Sequence, residues 1–409
     1  MKILKENNIT LKLILKSILL FFSLYIYIYN PIFKFLDFGS VKILLGISFI
    51  YLIFSSKLRI FLTKFEKEIL FTLALIFYSL LIEAFIGPAG IGMMYRHFIW
   101  FLEGFLIPFF LILFFKDIFF KYGYIRLVII VGFIASLITL YLILNPNVNL
   151  FIRNEVIIDS LDSFTDTWTF RGFTIAENSS YSYSVVQGVI LGFCLFKLKN
   201  NLLYLFPILT LFISIIFNAR IGISVIIIAL FLFLIYKQIE LKKILILLII
   251  LIGLFTFIDL SSFIEENIQS VEWGLDFFTQ TRDFLSGKRN ENTYGTLFGD
   301  MIFFPENSVD FMFGTGINIF HNVKKSSDVG FIIQIFEGGL VYIFLMLFFL
   351  FLMYKRILKV EKITLFPIFL ITVILIANIK GNALFVSTGF FRLFTLYYVH
   401  LILDKRSCF

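Results

Sequence analysis

The sequence is poor in the residue types that most often build metal sites and disulfides. Only three histidines and two cysteines occur among its 409 residues. His97, His321 and His400 lie far apart in sequence, so we expect no dedicated protein metal site. Cys194 falls in a predicted membrane span and Cys408 in the C-terminal tail, so we expect no structural disulfide either.

Charged residues are also scarce, at 15% of the chain, whereas 60% of the residues are apolar and 58 are phenylalanine. The mean hydropathy is +0.98. This composition excludes a water-soluble globular protein. The sequence contains no Walker-type phosphate loop, so the chain has no site of this type at which ATP hydrolysis could drive transport.

Apolar stretches recur along the chain with the length of about 17–25 residues that a helix needs to cross the hydrocarbon core. They lack the alternation of a membrane barrel, and a spanning segment must satisfy its own backbone hydrogen bonds. The sequence therefore predicts an all-α polytopic membrane protein, a single transmembrane domain over 1–409 with about twelve helices. The first span has no small-residue cleavage site and is interpreted as a retained helix. The predicted spans lie near 11–29, 41–56, 68–87, 97–115, 124–144, 181–197, 202–218, 220–236, 243–258, 328–353, 363–379 and 385–402.

The distribution of lysine and arginine predicts the orientation of these helices. With a cytoplasmic N-terminus, the short loops rich in basic residues face the cytoplasm, as does the C-terminus. Two long loops, 145–180 and 259–327, then face outward and would cover the active site, and the second is expected to be partly helical between helices 9 and 10. This topology accounts for most of the net charge of +8, and nucleic acid is not expected as a partner.

Arginines occur at informative places in the outward-facing loops. Arg220 lies at the tight turn "FNARIGIS", beside a predicted helix start, where unpaired N–H groups and the helix dipole attract anions. A guanidinium adds a planar charged fork that matches phosphate oxygens. Arg171 and Arg289 would complete a clamp for a large anion. The competing interpretation is that each arginine is solvated, pairs with a local acid or only holds its loop.

The charged residues inside the predicted spans include Glu103, Glu337 and Arg392, all toward the outer face. Glu337 is about nine residues into its predicted helix, roughly 13 Å deep at 1.5 Å per residue. Ionisable groups at such depth are costly unless they are paired or face a watery cavity. We therefore expect an outward-facing cavity, and a structural ion pair between Glu337 and Arg392 is the alternative.

Four motifs follow one another in the second half of the chain: "TFRGFTIAENSSY", "NARIG", "SGKRNENTYG" and "FMFGTGINIFHN…SDVGFIIQIFEGGL". Their order resembles that of the bacterial O-antigen polymerase and O-antigen ligase superfamily of integral-membrane glycosyltransferases. The resemblance implies an enzyme at the periplasmic face of the Gram-negative inner membrane. Its donor would be a glycan on undecaprenyl diphosphate, which is transferred to an acceptor hydroxyl with release of undecaprenyl diphosphate. No nucleotide sugar, metal or other cofactor is implied.

The resemblance also implies roles for individual residues. The diphosphate would be bound by arginines of the outer loops, Arg171, Arg220, Arg289 and Arg282. His321 or Asp328 would orient or deprotonate the attacking hydroxyl, and Glu337 is a further catalytic candidate. Asp328 stands near the helix start, where the ligase branch commonly has a histidine, and this favours a polymerase.

Two alternatives to a polymerase remain at this point. One is the ligase that moves finished chains to the lipid A core, and the other is a lipid-linked oligosaccharide flippase or secondary transporter. A transporter is expected to have charged or broken spans that reach the membrane midplane, often with internal repeats, and no repeat is evident. Besides the lipid-linked oligosaccharide, the partners would be membrane lipids, with room for a chain-length regulator protein.

Overall fold

The structure is a computed structural model, and it is mainly helical. It describes residues 2–36, 38–157, 172–177, 181–198, 201–219, 221–236, 282–283, 286, 299–320, 326–360 and 365–404, with side chains from residue 13 onward. Its only sheet in these ranges is an antiparallel pair of two-residue strands, β1 (Ile32–Phe33) and β2 (Phe38–Gly39). The expected all-α class is confirmed.

The helices follow in chain order as α1 (Lys2–Tyr29), α2 (Val41–Phe54), α3 (Leu58–Lys64), α4 (Glu66–Phe85), α5 (Ala89–Phe101), a π-helical turn (Leu102–Leu106), α6 (Ile107–Phe114), α7 (Lys116–Tyr122), α8 (Tyr124–Leu144), α9 (Pro146–Phe151), α10 (Ser182–Leu198), α11 (Leu205–Ile216), α12 (Ile221–Ile235), α13 (Ser308–Phe313), α14 (Gly330–Val360), α15 (Leu365–Lys380) and α16 (Gly389–Leu403). A second π-helical turn (Ile152–Val156) and a 3₁₀ turn (Leu202–Tyr204) complete the described helical segments. Proline at the first position of α9 and a left-handed glycine, Gly123, before α8 are ordinary helix-start residues.

Several helices are suited to a membrane. By length and composition, four described helical stretches could cross one: Glu66–Phe85, Ala89–Phe114, Tyr124–Leu144 and Gly330–Val360. A fifth is added if the bent pair of α2 and α3 is one span, and six shorter helices are also apolar. This finding supports a membrane protein, whereas the expected number of twelve spans stays a prediction. The expected ninth span, 243–258, lies outside the described residues.

The chain divides into two compact units. Unit 1 consists of Met1–Leu52 and Ile107–Val271, and unit 2 of Ile53–Leu106 and Glu272–Phe409. The sequence predicted a single transmembrane domain. The division into two compact units does not test that prediction, because the units are distinguished only by the contacts within each of them.

Unit 1 is organised around α10, which is buried along nearly its whole length and packs against α8, α11 and α12. Glycine permits the close approach of α10 and α12: a Cβ atom on Gly188 would lie 2.9 Å from the backbone oxygen of Gly222. Hydroxyl groups hold the same core together. The Tyr183 hydroxyl lies 2.7 Å from Thr139 Oγ1 and 3.0 Å from Ser214 Oγ. Small residues and hydrogen-bonded hydroxyls at helix contacts are typical of membrane proteins.

Unit 2 is held together by a helical hairpin of α4 and α5 and by the long helix α14. Its interior contains a cluster of aromatic rings around Trp100, which contacts Phe105, Phe349, Phe385 and Phe391 with ring centroids 4.6–5.7 Å apart. All four of these contacts are edge-to-face, a geometry that aromatic pairs prefer. The polar residues described next lie in this unit.

Candidate functional site

The long helix α14 is interrupted within its first third, at Gly339. This residue has φ 73° and ψ −175°, which is not helical geometry, so α14 consists of two helical segments joined at a break. Positive φ is readily adopted only by glycine. Gly339, the second glycine of "EGGL", is therefore required by the backbone conformation at the break.

The loop after α13 fits against this break. A Cβ atom on Gly339 would lie 2.2 Å from the backbone oxygen of Met312, and one on Gly314 would lie 2.7 Å from the backbone nitrogen of Gly338. Only glycine allows backbones to approach so closely. Thr315 adds two hydrogen bonds to the Phe336 carbonyl, one from its backbone N–H at 2.8 Å and one from its hydroxyl at 3.0 Å. Gly314 of "FGTGIN" thus packs directly against the glycine pair of "EGGL".

The hairpin of α4 and α5 contacts both the break and the loop that packs against it. The Tyr78 hydroxyl donates a hydrogen bond of 2.7 Å to the Gly338 carbonyl, and the Ala89 N–H donates one of 2.9 Å to the Gly316 carbonyl. Backbone groups released by an interrupted membrane helix must find partners within the protein. The loop and the hairpin provide such partners here.

Glu337 is the charged centre of this arrangement. Its Oε2 accepts a hydrogen bond of 2.6 Å from Arg96, and its Oε1 accepts one of 2.9 Å from the Asn318 side-chain amide. The Glu337 side chain is 1% exposed, whereas that of Arg96 is 24% exposed. The sequence-based alternative, a pair between Glu337 and Arg392, is therefore not formed, because Glu337 is paired with Arg96.

Arg392 has a different acidic partner. Its guanidinium lies 3.3 Å from Glu103 and 3.1 Å from the hydroxyl of Ser387, which itself donates to Glu103. Arg392 and Glu103 are both almost fully buried. Glu103 projects from the π-helical turn, a geometry that is frequent at functional sites. Glu337 and Glu103 are thus each paired with an arginine, as the burial of a charge in a membrane requires.

The interior of unit 2 contains further polar contacts. His97 Nε2 lies 2.8 Å from the Tyr342 hydroxyl. At another level Arg356 donates to both carboxylate oxygens of Glu68, at 2.5 and 2.6 Å, and Tyr398 donates to Glu68 as well. Arginine and glutamate are therefore paired repeatedly in this unit.

Unit 1 contains the segments that flank two of the predicted diphosphate-binding residues, Arg171 and Arg220, which themselves lie outside the described residues. Phe173 belongs to a buried apolar cluster with Ile216 and Phe217, and the rings of Phe173 and Phe217 are 6.1 Å apart. The described part of the outer loop, 172–177, therefore meets the end of α11.

The same loop segment is tied to the end of α1. Tyr25 donates a hydrogen bond of 2.9 Å to the Ile175 carbonyl, and the Asn30 amide donates one of 2.5 Å to the Glu177 carboxylate. The backbone N–H of Glu177 also donates to the Tyr29 carbonyl at 2.8 Å. These bonds fix the loop where it passes from Arg171 into α10.

The other predicted site residues are only partly described. Arg289 and His321 lie outside the described residues. Arg282 is an exposed residue that pairs with the adjacent Asp283 at 3.7 Å. Asp328 is half-buried and lies two residues before α14, next to Ser327, whose hydroxyl accepts a hydrogen bond of 3.1 Å from the Val329 N–H. The assigned roles of these residues stay predictions.

The sequence had indicated the polar stretch Phe313–Leu340 but not its partners. Tyr78, which donates to the break, gave no signal because a tyrosine in an apolar span is common. Asn318 lies within the quoted motif but was not singled out. Arg96 directly precedes the predicted span 97–115, and its position gave no sign of a partner in another helix. Comparison with protein-family models, with curated proteins and with solved structures finds no match to this chain.

Proposed function

We propose that the chain is an O-antigen, or related surface polysaccharide, polymerase. It joins repeat units carried on undecaprenyl diphosphate at the periplasmic face of the inner membrane, with both termini cytoplasmic, and releases undecaprenyl diphosphate. The observation that carries the proposal is the contact of Phe173 with Phe217. These residues are two and three positions from Arg171 and Arg220, so two segments with a predicted diphosphate-binding arginine converge in unit 1.

The chemistry needs cations and a base. A diphosphate that leaves an anomeric carbon develops negative charge, and positioned cations lower the barrier to its departure. Arg171 and Arg220, with Arg289 and Arg282, are assigned this role. A base beside the acceptor hydroxyl adds about 10²–10⁴-fold, and His321 or Asp328 is assigned to it.

Glu337 is better suited to positioning than to proton transfer. Both of its oxygens are engaged, by Arg96 and Asn318, and its side chain is buried. Asn318 lies three residues before His321, so the bond from Asn318 to Glu337 restrains the chain shortly before the proposed base. The role assigned to Glu337 is to anchor this loop to the broken helix.

The experiment that tests the proposal is a lipopolysaccharide gel of a strain that lacks the gene, beside a complemented control. A polymerase predicts core with a single repeat and restoration of the ladder on complementation. Bare core with long chains on undecaprenyl diphosphate would identify the ligase instead. An unchanged ladder would contradict any role in O-antigen assembly and direct attention to capsule or other glycans.

A second candidate is favoured by one feature of unit 2. Discontinuous helices and paired intramembrane charges are found where transporters bind substrate, and α14 is broken at Gly339 beside the pair of Glu337 and Arg96. A lipid-linked oligosaccharide flippase would leave bare core with repeats confined to the cytoplasmic leaflet. The same gel, combined with the sidedness of the lipid-linked repeats, distinguishes the two functions.

A further inference from the structure

The three arginine–glutamate pairs of unit 2 differ in how fully the protein satisfies the arginine. Arg356 donates three hydrogen bonds, two to Glu68 and one to the Lys64 carbonyl. Arg392 bonds to Glu103 and Ser387 and is 3% exposed. Both arginines have the surroundings of structural residues, since several of their donors end on protein acceptors.

Arg96 is different. A guanidinium has five N–H donors, and among the described residues Arg96 donates a single hydrogen bond, from one terminal nitrogen to Glu337. Its side chain is 24% exposed, while Glu337 behind it is 1% exposed. Arg96 therefore has donors without a partner among the described residues, and part of its side chain is exposed.

Glu337 fixes the direction in which Arg96 points. Its second oxygen is bound by Asn318, which in turn accepts a hydrogen bond of 2.9 Å from the Phe320 N–H through its own side-chain oxygen. The carboxylate is thus restrained on both sides and cannot turn away from the guanidinium. A guanidinium held at one nitrogen keeps its planar fork available for bidentate binding of an anion.

The surroundings of Arg96 indicate the kind of anion. Tyr95 and Phe98, its neighbours on α5, are 54% and 50% exposed, as is typical of side chains that face lipid. The positive-inside rule places the start of this helix at the outer membrane surface. Arg96 is the eighth residue of the candidate span Ala89–Phe114, roughly 10 Å from its start at 1.5 Å per residue. A long arginine side chain at that depth can extend toward the surface and reach the phosphate groups of lipids.

We propose that Arg96 binds a lipid-linked phosphate group, with Glu337 as its positioning residue. The two sources of this group are the diphosphate of a polyprenyl carrier and the phosphate of a bilayer lipid. The first source rests on the proposed function, whereas the binding of phosphate by Arg96 does not. Arg96 is not one of the arginines that the sequence assigned to the diphosphate.

The test is native mass spectrometry of the purified full chain with added undecaprenyl diphosphate, undecaprenyl phosphate or phosphatidylglycerol. The main variant is the double substitution R96Q/E337Q, which removes both charges together and leaves no unpaired buried charge. The second is R96K, which keeps the charge but loses the planar fork. The control is R59Q, the same change at an exposed arginine on a predicted cytoplasmic loop.

We expect the double variant to bind the polyprenyl phosphates about tenfold more weakly than the wild type, because charge-assisted bonds are lost. R96K should lose less, and R59Q should bind like the wild type. If the wild type binds undecaprenyl diphosphate in preference to phosphatidylglycerol, the bound group is the diphosphate of the carrier. If it binds both lipids equally, the bound group is the phosphate of a bilayer lipid. Unchanged binding by a folded double variant overturns the inference, whether or not the gel supports a polymerase.

Discussion

Arg96 donates a hydrogen bond of 2.6 Å to Glu337, a residue 241 positions later in the chain. The bond joins α5 to the part of α14 just before the break at Gly339. The loop that follows α13 is joined to the same carboxylate through Asn318. One buried acidic side chain therefore links α5, α14 and the loop after α13.

R96Q should destabilise the protein strongly, because it leaves the buried Glu337 carboxylate without its partner, and E337Q should destabilise it less, because Arg96 is partly exposed. Removal of one member of a buried pair costs about 3–5 kcal/mol. The double variant should cost less than the sum of the two. Thermal unfolding in detergent, analysed as a double-mutant cycle, measures this coupling.

The control for this cycle is K16Q, which breaks a pair with Asp117 at 3.1 Å whose acidic side chain is 77% exposed. Exposed ion pairs contribute about 0.2–1 kcal/mol, so K16Q should unfold close to the wild-type temperature. Additive effects of E337Q and R96Q would show that the two side chains do not interact.

G339A should lower the yield of folded protein. Alanine at φ 73° is strained by about 1–3 kcal/mol, and its Cβ atom would overlap the Met312 backbone oxygen. G46A is the matched control, since a Cβ atom there has no neighbour within 4 Å and Gly46 lies inside the helix α2. Fluorescence-detected size exclusion compares the two. Equal monodisperse peaks would mean that the break at Gly339 is not required for folding.

The fold class followed from the sequence because hydropathy alone determines it. Long apolar runs in a chain with 15% charged residues can bury their backbone polar groups only as helices in a membrane. The break in α14 did not follow, since a glycine pair inside an apolar run is equally compatible with close helix packing. Its geometry depends on Met312 and Gly314, which approach from elsewhere in the chain.

The polar stretch was identified from the sequence, but its pairing was not. The depth of Glu337 and Glu103 predicted that each needs a partner, and sequence offered Arg392 for Glu337. Which arginine reaches which acid depends on how each helix is rotated about its own axis. In a helix that is apolar on all sides, the spacing of polar and apolar residues does not predict that rotation. Arg392 therefore pairs with Glu103, and Arg96 with Glu337.

Y183F should destabilise unit 1 moderately. The lost hydroxyl leaves Thr139 and Ser214 without a buried hydrogen-bond partner, which costs about 1–2 kcal/mol. Y141F, on the exposed face of α8, removes the same atom from a side chain that is 55% exposed and should be neutral. The two variants are compared by their melting temperatures in detergent, and equal values would exclude a stabilising role for the Tyr183 hydroxyl.

The orientation of the chain is tested by an alkaline phosphatase reporter fused after Ser286. Positive-inside topology places this position in the periplasm, where the reporter is active. A fusion after Lys57, in a predicted cytoplasmic loop, is the control and should be inactive. Activity at Lys57 and none at Ser286 would reverse the topology and move the proposed site to the cytoplasmic face.

R220A should abolish polymer formation at normal protein levels. The residue follows Ala219 and immediately precedes α12, where unpaired N–H groups add to the attraction for a diphosphate. The loss of a bidentate arginine–phosphate contact in a transition state is expected to reduce the rate by several orders of magnitude. R59A controls for the loss of an exposed arginine on the opposite predicted face. The readout is the lipopolysaccharide ladder of complemented cells, beside an immunoblot of the protein. A full ladder in R220A cells would remove Arg220 from the diphosphate clamp and leave the turn-holding role as its explanation.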